Sequence, residues 1–454
     1  MNDKSLDTPD SNNAVRVLEC PRDQAIVAER MARREALVDA DLIGGVQAIF
    51  SKVKCEGDRA AVAATKQYDQ VGLETLRVPE SKIQRAIAEL PSELRGAIEL
   101  ARDRIERVNR ELMPRDMVRE IEPGVRVGQL FRPLDSVALW IPCRKGPLLS
   151  TALMLVTAAR VARVPRIIAL MPPRPDGSAD PGTLAAARLA GADDCFVGNG
   201  VALLAAVTHG TESLPRVAGV FGPGPGGIAV AMAMAGMFGL KTVVGIGPTD
   251  CAVLADDSAD ARLVAWDLAS EGEHGADSAS LLATPSAVFA RAVAAELASI
   301  IGSAEPTRQA NLREVFGEAG RGMLVVTPDF AAASALAASF APEHLSIVCR
   351  PELREAAVSS AVAGEVLLGS HTPFSAANYA IGITAVLPTN GAARAISGIT
   401  ARDMLRTTTL GELDGAALAA LTPTIGTLAR YEGLPCHAAA AEARGTQATT
   451  LAVN

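Results

Sequence analysis

Histidine is scarce in this chain, with five in 454 residues: His209, His274, His344, His371 and His437. Glu271 and His274 stand three apart in Ser270-Glu271-Gly272-Glu273-His274-Gly275, just after the helical run 261–269. On a helix that spacing places both side chains on one face. Together they offer one oxygen and one nitrogen donor to a metal ion. A solvated helix end with a charge-paired histidine has the same pattern, and spacing alone leaves both readings open. Ala341-Pro342-Glu343-His344-Leu345 leads into an apolar, strand-like run. A glutamate beside a histidine at a strand entrance can work as an acid–base pair at a cleft rim, or it can be an ordinary polar turn. Glu432-Gly433-Leu434-Pro435-Cys436-His437 is a weaker signal of the same kind.

Two glycine-rich stretches follow strand-like runs. Residues 222–227, GPGPGG, look like a phosphate cradle, but both prolines remove N–H donors. Residues 198–200, GNG, lack the third glycine of a dinucleotide fingerprint. Neither identifies a cofactor. The sequence has no P-loop, no GxSxG elbow and no zinc-finger spacing.

The elements that must hold these residues follow from the apolar pattern. Hydrophobic residues are 49% of the chain and aromatics only 3%, so Ala, Val, Leu and Ile must fill the core. The length suits two or three domains. Residues 1–13 read as a disordered tail and 14–125 as a helical region, with helical spacing clear over 92–108 and Pro114 closing the stretch. Apolar strand-type runs at 136–141, 166–171, 194–197 and 217–221 alternate with alanine-rich helical segments at 148–164 and 181–189. That alternation predicts βαβ units and a parallel sheet. A second set of runs follows at 242–246, 252–255, 323–327, 345–348 and 365–368. The expectation is an α/β protein with two lobes in series, 126–248 and 249–390, and a ligand cleft between them. Residues 391–454 close the chain as helix and loop. The uncharged stretch 219–240 carries Pro223 and Pro225 in its first third, which favours a buried strand, turn and helix over a membrane span.

The net charge is −8 and no long basic run occurs, so nucleic acid and anionic membranes are not expected partners. Seven scattered cysteines without a CxxC pair, and an N-terminal stretch without an apolar segment, predict reduced thiols in a cytoplasm.

Taken together and in order, these segments resemble histidinol dehydrogenase. The carriers are Val137-Ala138-Leu139-Trp140-Ile141-Pro142, Leu189-Ala190-Gly191-Ala192-Asp193, His209-Gly210-Thr211-Glu212, Gly222-Pro223-Gly224 and Ala255-Asp256-Asp257. Glu273-His274-Gly275, Ala341-Pro342-Glu343-His344-Leu345, Val386-Leu387-Pro388-Thr389 and Tyr431-Glu432-Gly433-Leu434 with His437 continue the series. The resemblance covers roughly residues 15 to 445. It implies two Rossmann-like parallel-sheet lobes with helical N- and C-terminal segments, the ends swapped in a homodimer. It also implies two-step, NAD-dependent oxidation of an amino alcohol through an aldehyde, with zinc.

By motif position the resemblance implies His274 and His437 as nitrogen ligands of the zinc, one of them from a second subunit. The family's Gln ligand position holds Glu271 and its Asp position holds Asn378. This exchange conserves charge and donor count, which suits a retained metal. Glu343 and His344 match the family's catalytic pair, His344 as base on the alcohol and Glu343 as activator of water. Glu432 matches a substrate contact.

Other matched positions differ. A substrate-contacting His becomes Ala385 and a substrate-reaching Ser becomes Thr249; a Gly-Gly-Lys loop becomes Cys143-Arg144-Lys145, where Arg144 could clamp an anion. At the cofactor positions, a Tyr becomes Trp140, a Gln becomes Ala202 and an Asn becomes Pro225. These departures give the expectation of an NAD(P)-linked dehydrogenase for a small polar alcohol or amino alcohol other than histidinol. A non-redox zinc enzyme and an inactive dimeric paralogue stand as alternatives.

Overall fold

Parallel strands covered by helices on both faces must be apolar along their whole length, and that is how this chain builds its core. The computed structural model describes residues 15–34, 38–144, 146–224, 226–243, 247–383 and 386–450. The expected tail at 1–13 lies outside the described residues. The chain forms two compact units: Met1–Leu112 with Leu134–Met404, and Met113–Pro133 with Leu405–Asn454.

The first unit holds two parallel sheets. One has the order Asp194–Val197, Ile167–Met171, Val137–Trp140, Gly219–Phe221, Lys241–Thr242. Counted along the chain, that order is third, second, first, fourth, fifth. The other runs Val17–Glu19, Met323–Val326, Ala279–Thr284, Asp250–Ala255, His344–Val348, Glu365–Leu368. With Val17–Glu19 set aside as an added edge, it repeats the same order. In open α/β sheets ligands bind outside the carboxyl ends of the strands, where the order reverses. In each sheet that reversal lies between the first and fourth strands.

Three expectations from the sequence are corrected here. The region 14–125 is not wholly helical, because Val17–Glu19 pairs with Met323–Val326. The strand Lys241–Thr242 belongs to the first sheet, paired with Gly219–Phe221, and does not open the second. Ala279–Thr284, central in the second sheet and fully buried, is an unforeseen strand. Its small residues, alanine and serine beside leucine, carry too little apolar bulk to announce it.

Small side chains allow close helix–sheet approach. Ala202, Ala205, Ala206, Ala231 and Ala235 are completely buried in the first lobe. The stretch around the two prolines resolves into the strand Gly219–Phe221 and the helix Gly227–Met237. Among the described residues no helix is long and apolar enough to cross a membrane. All seven cysteines are free thiols.

In the second unit, Leu405–Leu413, Val125–Pro133 and Met117–Glu122 form an antiparallel sheet. The helices Gly415–Tyr431 and Pro435–Thr450 pack together, with Arg430 and Glu442 paired at 2.7 Å. The expectation of helix and loop after residue 391 is thus corrected by one long strand. Its three consecutive threonines, Thr407 to Thr409, and its charged Arg406 and Glu412 are exposed on both faces, so no apolar alternation marked it.

A buried ion pair ties the N-terminal helical segment to the second sheet. Arg34 and Asp250 meet at 2.8 Å, their side chains 5% and 1% exposed. Asp250 also accepts from the backbone N–H of Glu343 at 2.7 Å and of Asn390 at 2.6 Å. The guanidinium lies 3.3 Å from the centroid of the Phe340 ring and donates to the Phe340 carbonyl. Removing one partner of such a pair strands the other's charge, at a cost of about 3–5 kcal/mol. Arg34→Ala is expected to lower unfolding stability by that amount in urea titrations. A loss below about 1 kcal/mol, the scale of an exposed pair, would show that the pair does not carry this load.

Candidate active site

The two sheets meet the cavity from opposite ends. Trp140 and Pro142 close the carboxyl end of the strand Val137–Trp140, and Gly222-Pro223-Gly224 follows the neighbouring strand Gly219–Phe221. Thr249 directly precedes the strand Asp250–Ala255, and Glu343 directly precedes His344–Val348. A cavity of about 660 Å³ is lined by Trp140, Asn199, Thr249, Glu271, His274, Glu343, His344, Asn378 and Tyr379, among others. It therefore lies at the first sheet's strand-order reversal and at the amino end of the second sheet.

Local chain geometry fixes the acid–base pair. The helix Phe330–Phe340 ends at Ala341, which is fully buried and takes a left-handed φ of 45°. Pro342 then turns the chain into the strand. A non-glycine residue in that region is strained, and the hydrogen bond from Glu343 N–H to Asp250 holds the turn in place. Gly200 permits another close approach, since a Cβ there would stand 2.7 Å from the Trp140 ring.

The polar side chains form a connected set. Thr249 Oγ1 lies 2.9 Å from Glu271 Oε2 and 2.9 Å from Glu343 Oε2. A hydroxyl has one proton to donate, so it serves one carboxylate fully, and the second contact requires a proton on the other carboxyl. Burial raises the Glu343 carboxyl above its ordinary range, against the pull of His344. Thr249 thus joins Glu343 and Glu271 in a chain that shares a proton. His344 Nε2 is 3.5 Å from Glu343 Oε1, and His344 Nδ1 is 2.6 Å from Glu365 Oε1. Burial pulls the His344 imidazole down, but the charges of Glu343 and Glu271 and the hydrogen bonds to Glu343 and Glu365 outweigh it, and it sits well above its ordinary value.

Of the four proposed metal positions, three come together. Glu271 is buried in the last turn of the helix Ala261–Gly272. Asn378, on the helix Phe374–Tyr379, donates to Glu271 Oε1 at 3.3 Å. His274 Nε2 is 3.7 Å from Glu271 Oε2, with nearly half its side chain exposed. Among the described residues no group of three or more His, Cys, Asp or Glu side chains stands in metal-holding geometry. The candidate set is one carboxylate, one imidazole and one amide. His437 and Glu432 belong to the second unit and are exposed, Glu432 as the C-cap of Gly415–Tyr431 and His437 in the first turn of Pro435–Thr450.

Other expected positions fall differently. Trp140 lines the cavity and is nearly buried; its indole N–H has no hydrogen-bond partner among the described residues. Ala202 is completely buried in the core, and its N–H is capped by Asn199 Oδ1 at 3.2 Å, so it presents no surface to the cavity. Arg144 lies on the cavity wall, exposed, with Nη1 3.5 Å from Asp69 Oδ1. Asp69 in turn accepts from Asn199 at 2.9 Å. Pro225 and Ala385 lie outside the described residues. Reading by motif overlooked Glu365, Asp250, Asp69 and Asp267. An acidic residue at the entrance of an otherwise apolar strand is the signal that could have found the first two.

The site and fold define a two-lobed α/β protein with an acid–base pair in a cleft. Residues 32–445 match the family model of histidinol dehydrogenase. The chain is 38% identical over 400 residues to the histidinol dehydrogenase of Synechocystis, covering 87% of this chain and 91% of that one. It is 36% identical over 423 residues to that of Xanthomonas oryzae, covering 93% and 97%. The crystal structure of histidinol dehydrogenase from Elizabethkingia anophelis superposes with a TM-score of 0.88 at 28% identity, covering 96% of this chain and 99% of that one. The chain belongs to the histidinol dehydrogenase family. These relatives overturn the expectation of an alcohol substrate other than histidinol. That expectation weighed a handful of altered positions, of which Ala202 faces the core, against a likeness that runs through the whole chain.

Two outcomes test this geometry. Thr249→Val removes the hydroxyl between two carboxylates and is expected to lower turnover about tenfold or more, the scale of a lost charge-assisted hydrogen bond; unchanged turnover would disprove the proton chain. Burial, and secondarily the charge of Glu271, raise Asp267 to about 7. Its folded pKa exceeds the unfolded value of about 3.9, so the folded state holds the extra proton. Stability therefore falls as pH rises between those values and levels off above. In chelator-treated protein Asp267→Asn is expected to flatten that decline in Tm between pH 5 and 8; parallel curves for the two proteins would refute it.

Proposed function

We propose that the chain is a homodimeric, zinc-dependent histidinol dehydrogenase that reduces NAD. The observation that carries this reading is the link from Glu271 through Thr249 to Glu343, beside His344, within one cavity. The family relationship supports histidinol as the amino alcohol and NAD as the acceptor. Both sheets repeat a strand order typical of Rossmann-like lobes.

The residues present fit the groups this reading requires. Glu271, His274 and Asn378 supply carboxylate, imidazole and amide donors suited to zinc. His437 of a second copy would complete the set through swapped C-terminal ends, and Glu432 would reach the substrate by the same route. On the cofactor side, Trp140 offers an indole face and an unpartnered N–H to the cavity. When bound, zinc polarises the substrate oxygen and NAD takes up hydride.

The chain's own residues do the proton work. His344 Nε2 accepts the hydroxyl proton of the alcohol. Glu343, buried beside His344, takes the proton of the water that adds to the aldehyde in the second oxidation. Thr249 passes charge between Glu343 and Glu271 and keeps both carboxyls facing the cavity.

Zinc-loaded protein given L-histidinol and NAD is expected to yield histidine and reduced cofactor, with two cofactors reduced per product. Chelation should abolish this activity and added zinc restore it. His344→Gln should reduce turnover about 10²- to 10⁴-fold, the range of a positioned general base. No cofactor reduction with histidinol by zinc-loaded wild type would refute the assignment.

A further inference from the structure

We infer that Glu365 is a positioning residue that sets the tautomer and the basicity of His344. This rests on the reading of His344 as the base in the proposed oxidation. His344 and Glu365 are register partners on adjacent parallel strands, so their side chains emerge side by side on one face of the sheet. Glu365 Oε1 stands 2.6 Å from His344 Nδ1, within the range of a charge-assisted hydrogen bond. The two side chains are 3% and 6% exposed, so water does not screen the contact.

The surrounding backbone is built to bring these two groups together. Glu365 N–H donates to the Glu343 carbonyl at 3.0 Å, and Gly364 N–H donates to Pro342 at 2.9 Å. A Cβ on Gly364 would stand 2.7 Å from the Glu343 carbonyl oxygen, so a side chain there would push the strands apart. Phe374, fully buried, leans on the imidazole with ring centroids 5.7 Å apart. The ring therefore has a carboxylate at Nδ1, an aromatic wall beside it, and Nε2 near Glu343 at the cavity.

Glu365 Oε2 is buried and has no hydrogen-bond partner among the described residues. A carboxylate kept this dry with one oxygen unserved is a poor device for stability. Its one strong contact is with the base. Accepting from Nδ1–H leaves the lone pair on Nε2, the atom at the cavity. As the substrate O–H bond breaks, its proton moves onto Nε2 and the electron pair stays on oxygen. With NAD bound to accept the hydride from carbon, the carboxylate at Nδ1 would stabilise the imidazolium just formed. Carboxylate–imidazole pairs in nucleophilic triads use the same logic.

The test uses zinc-loaded enzyme with Glu365→Gln and Glu365→Ala. The Gln variant is expected to lose about 10- to 100-fold in kcat, the range for removal of an orienting partner. Its KM for histidinol should stay within about twofold, with zinc content and Tm retained. The acid limb of its kcat profile should move to lower pH, because a neutral amide stabilises the imidazolium less. The Ala variant should lose at least as much kcat. Wild-type kcat and an unmoved acid limb in the Gln variant would overturn the inference, as would kcat loss only in step with lost zinc or Tm. Should both variants fail to fold, ¹⁵N spectra of histidine-labelled wild type decide it. The signal missing from His344→Gln must show a protonated Nδ1, and an Nε2-protonated neutral ring overturns the pairing. A wild type that does not turn over histidinol refutes the proposed function, while the spectra still decide the Glu365–His344 pairing.

Discussion

Three carboxyl groups closed off from water crowd one imidazole, and the remainder of the first unit is arranged around that constraint. Glu271, Glu343 and Glu365 are all shielded, and none has a lysine or arginine against it in the ion pairs described. Buried carboxylates without counter-charge are costly. The site lowers that cost by threading Thr249 between two carboxyls and by setting the His344 imidazole against Glu343 and Glu365. An environment so negative is also one that favours a cation near Glu271. Acid–base chemistry and affinity for a metal thus arise from the same excess of negative charge.

A buried guanidinium stands one layer back. Arg34 neutralises Asp250, and Asp250 uses both oxygens to hold the backbone at Glu343 and Asn390. The two sheets then play unequal parts. The first offers the carboxyl end of its strands at the order reversal, where helices and glycine loops leave room for a ligand. At the carboxyl end of the second sheet, protein carboxylates already take up the helix and loop donors. Asp260 caps the helix that follows the strand Asp250–Ala255, and Arg350 pairs with Asp256 and Asp257. Carboxylates already fill the positions where a phosphate would seek N–H donors, so the second sheet contributes through its amino end.

The sequence shows some of this plainly. Runs such as Ile167–Met171 and Met323–Val326 are continuous and apolar because both faces are buried, and their alternation with alanine-rich helices reveals a parallel α/β chain. Glu343-His344 at a strand entrance and Glu271 with His274 at helical spacing were visible because local spacing defines them. Glu365, Asp250 and Arg34 were not, because their roles depend on register between strands far apart in sequence. His344 meets Glu365 only when the strands pair, and Arg34 meets Asp250 across 216 positions. Ala202 misled in the other direction: matched to a cofactor contact by motif, it packs into the core while the neighbouring Asn199 faces the cavity.

The exchange at positions 271 and 378 has a structural consequence that donor counting does not reveal. By resemblance the family pairs an amide on the helix that ends near 272 with a carboxylate at the position of Asn378. Here the carboxylate is on that helix, where Thr249 can reach it while also touching Glu343. Asn378 lies on the far side and contacts only the other oxygen, Glu271 Oε1. A carboxylate at 378 could serve a cation equally well but would lie outside the chain that runs through Thr249. Moving it to 271 joins the metal-side donor to the acid–base pair by a single hydroxyl. The charge of the pocket is unchanged, while Glu343 becomes sensitive, through Thr249, to whatever binds at Glu271.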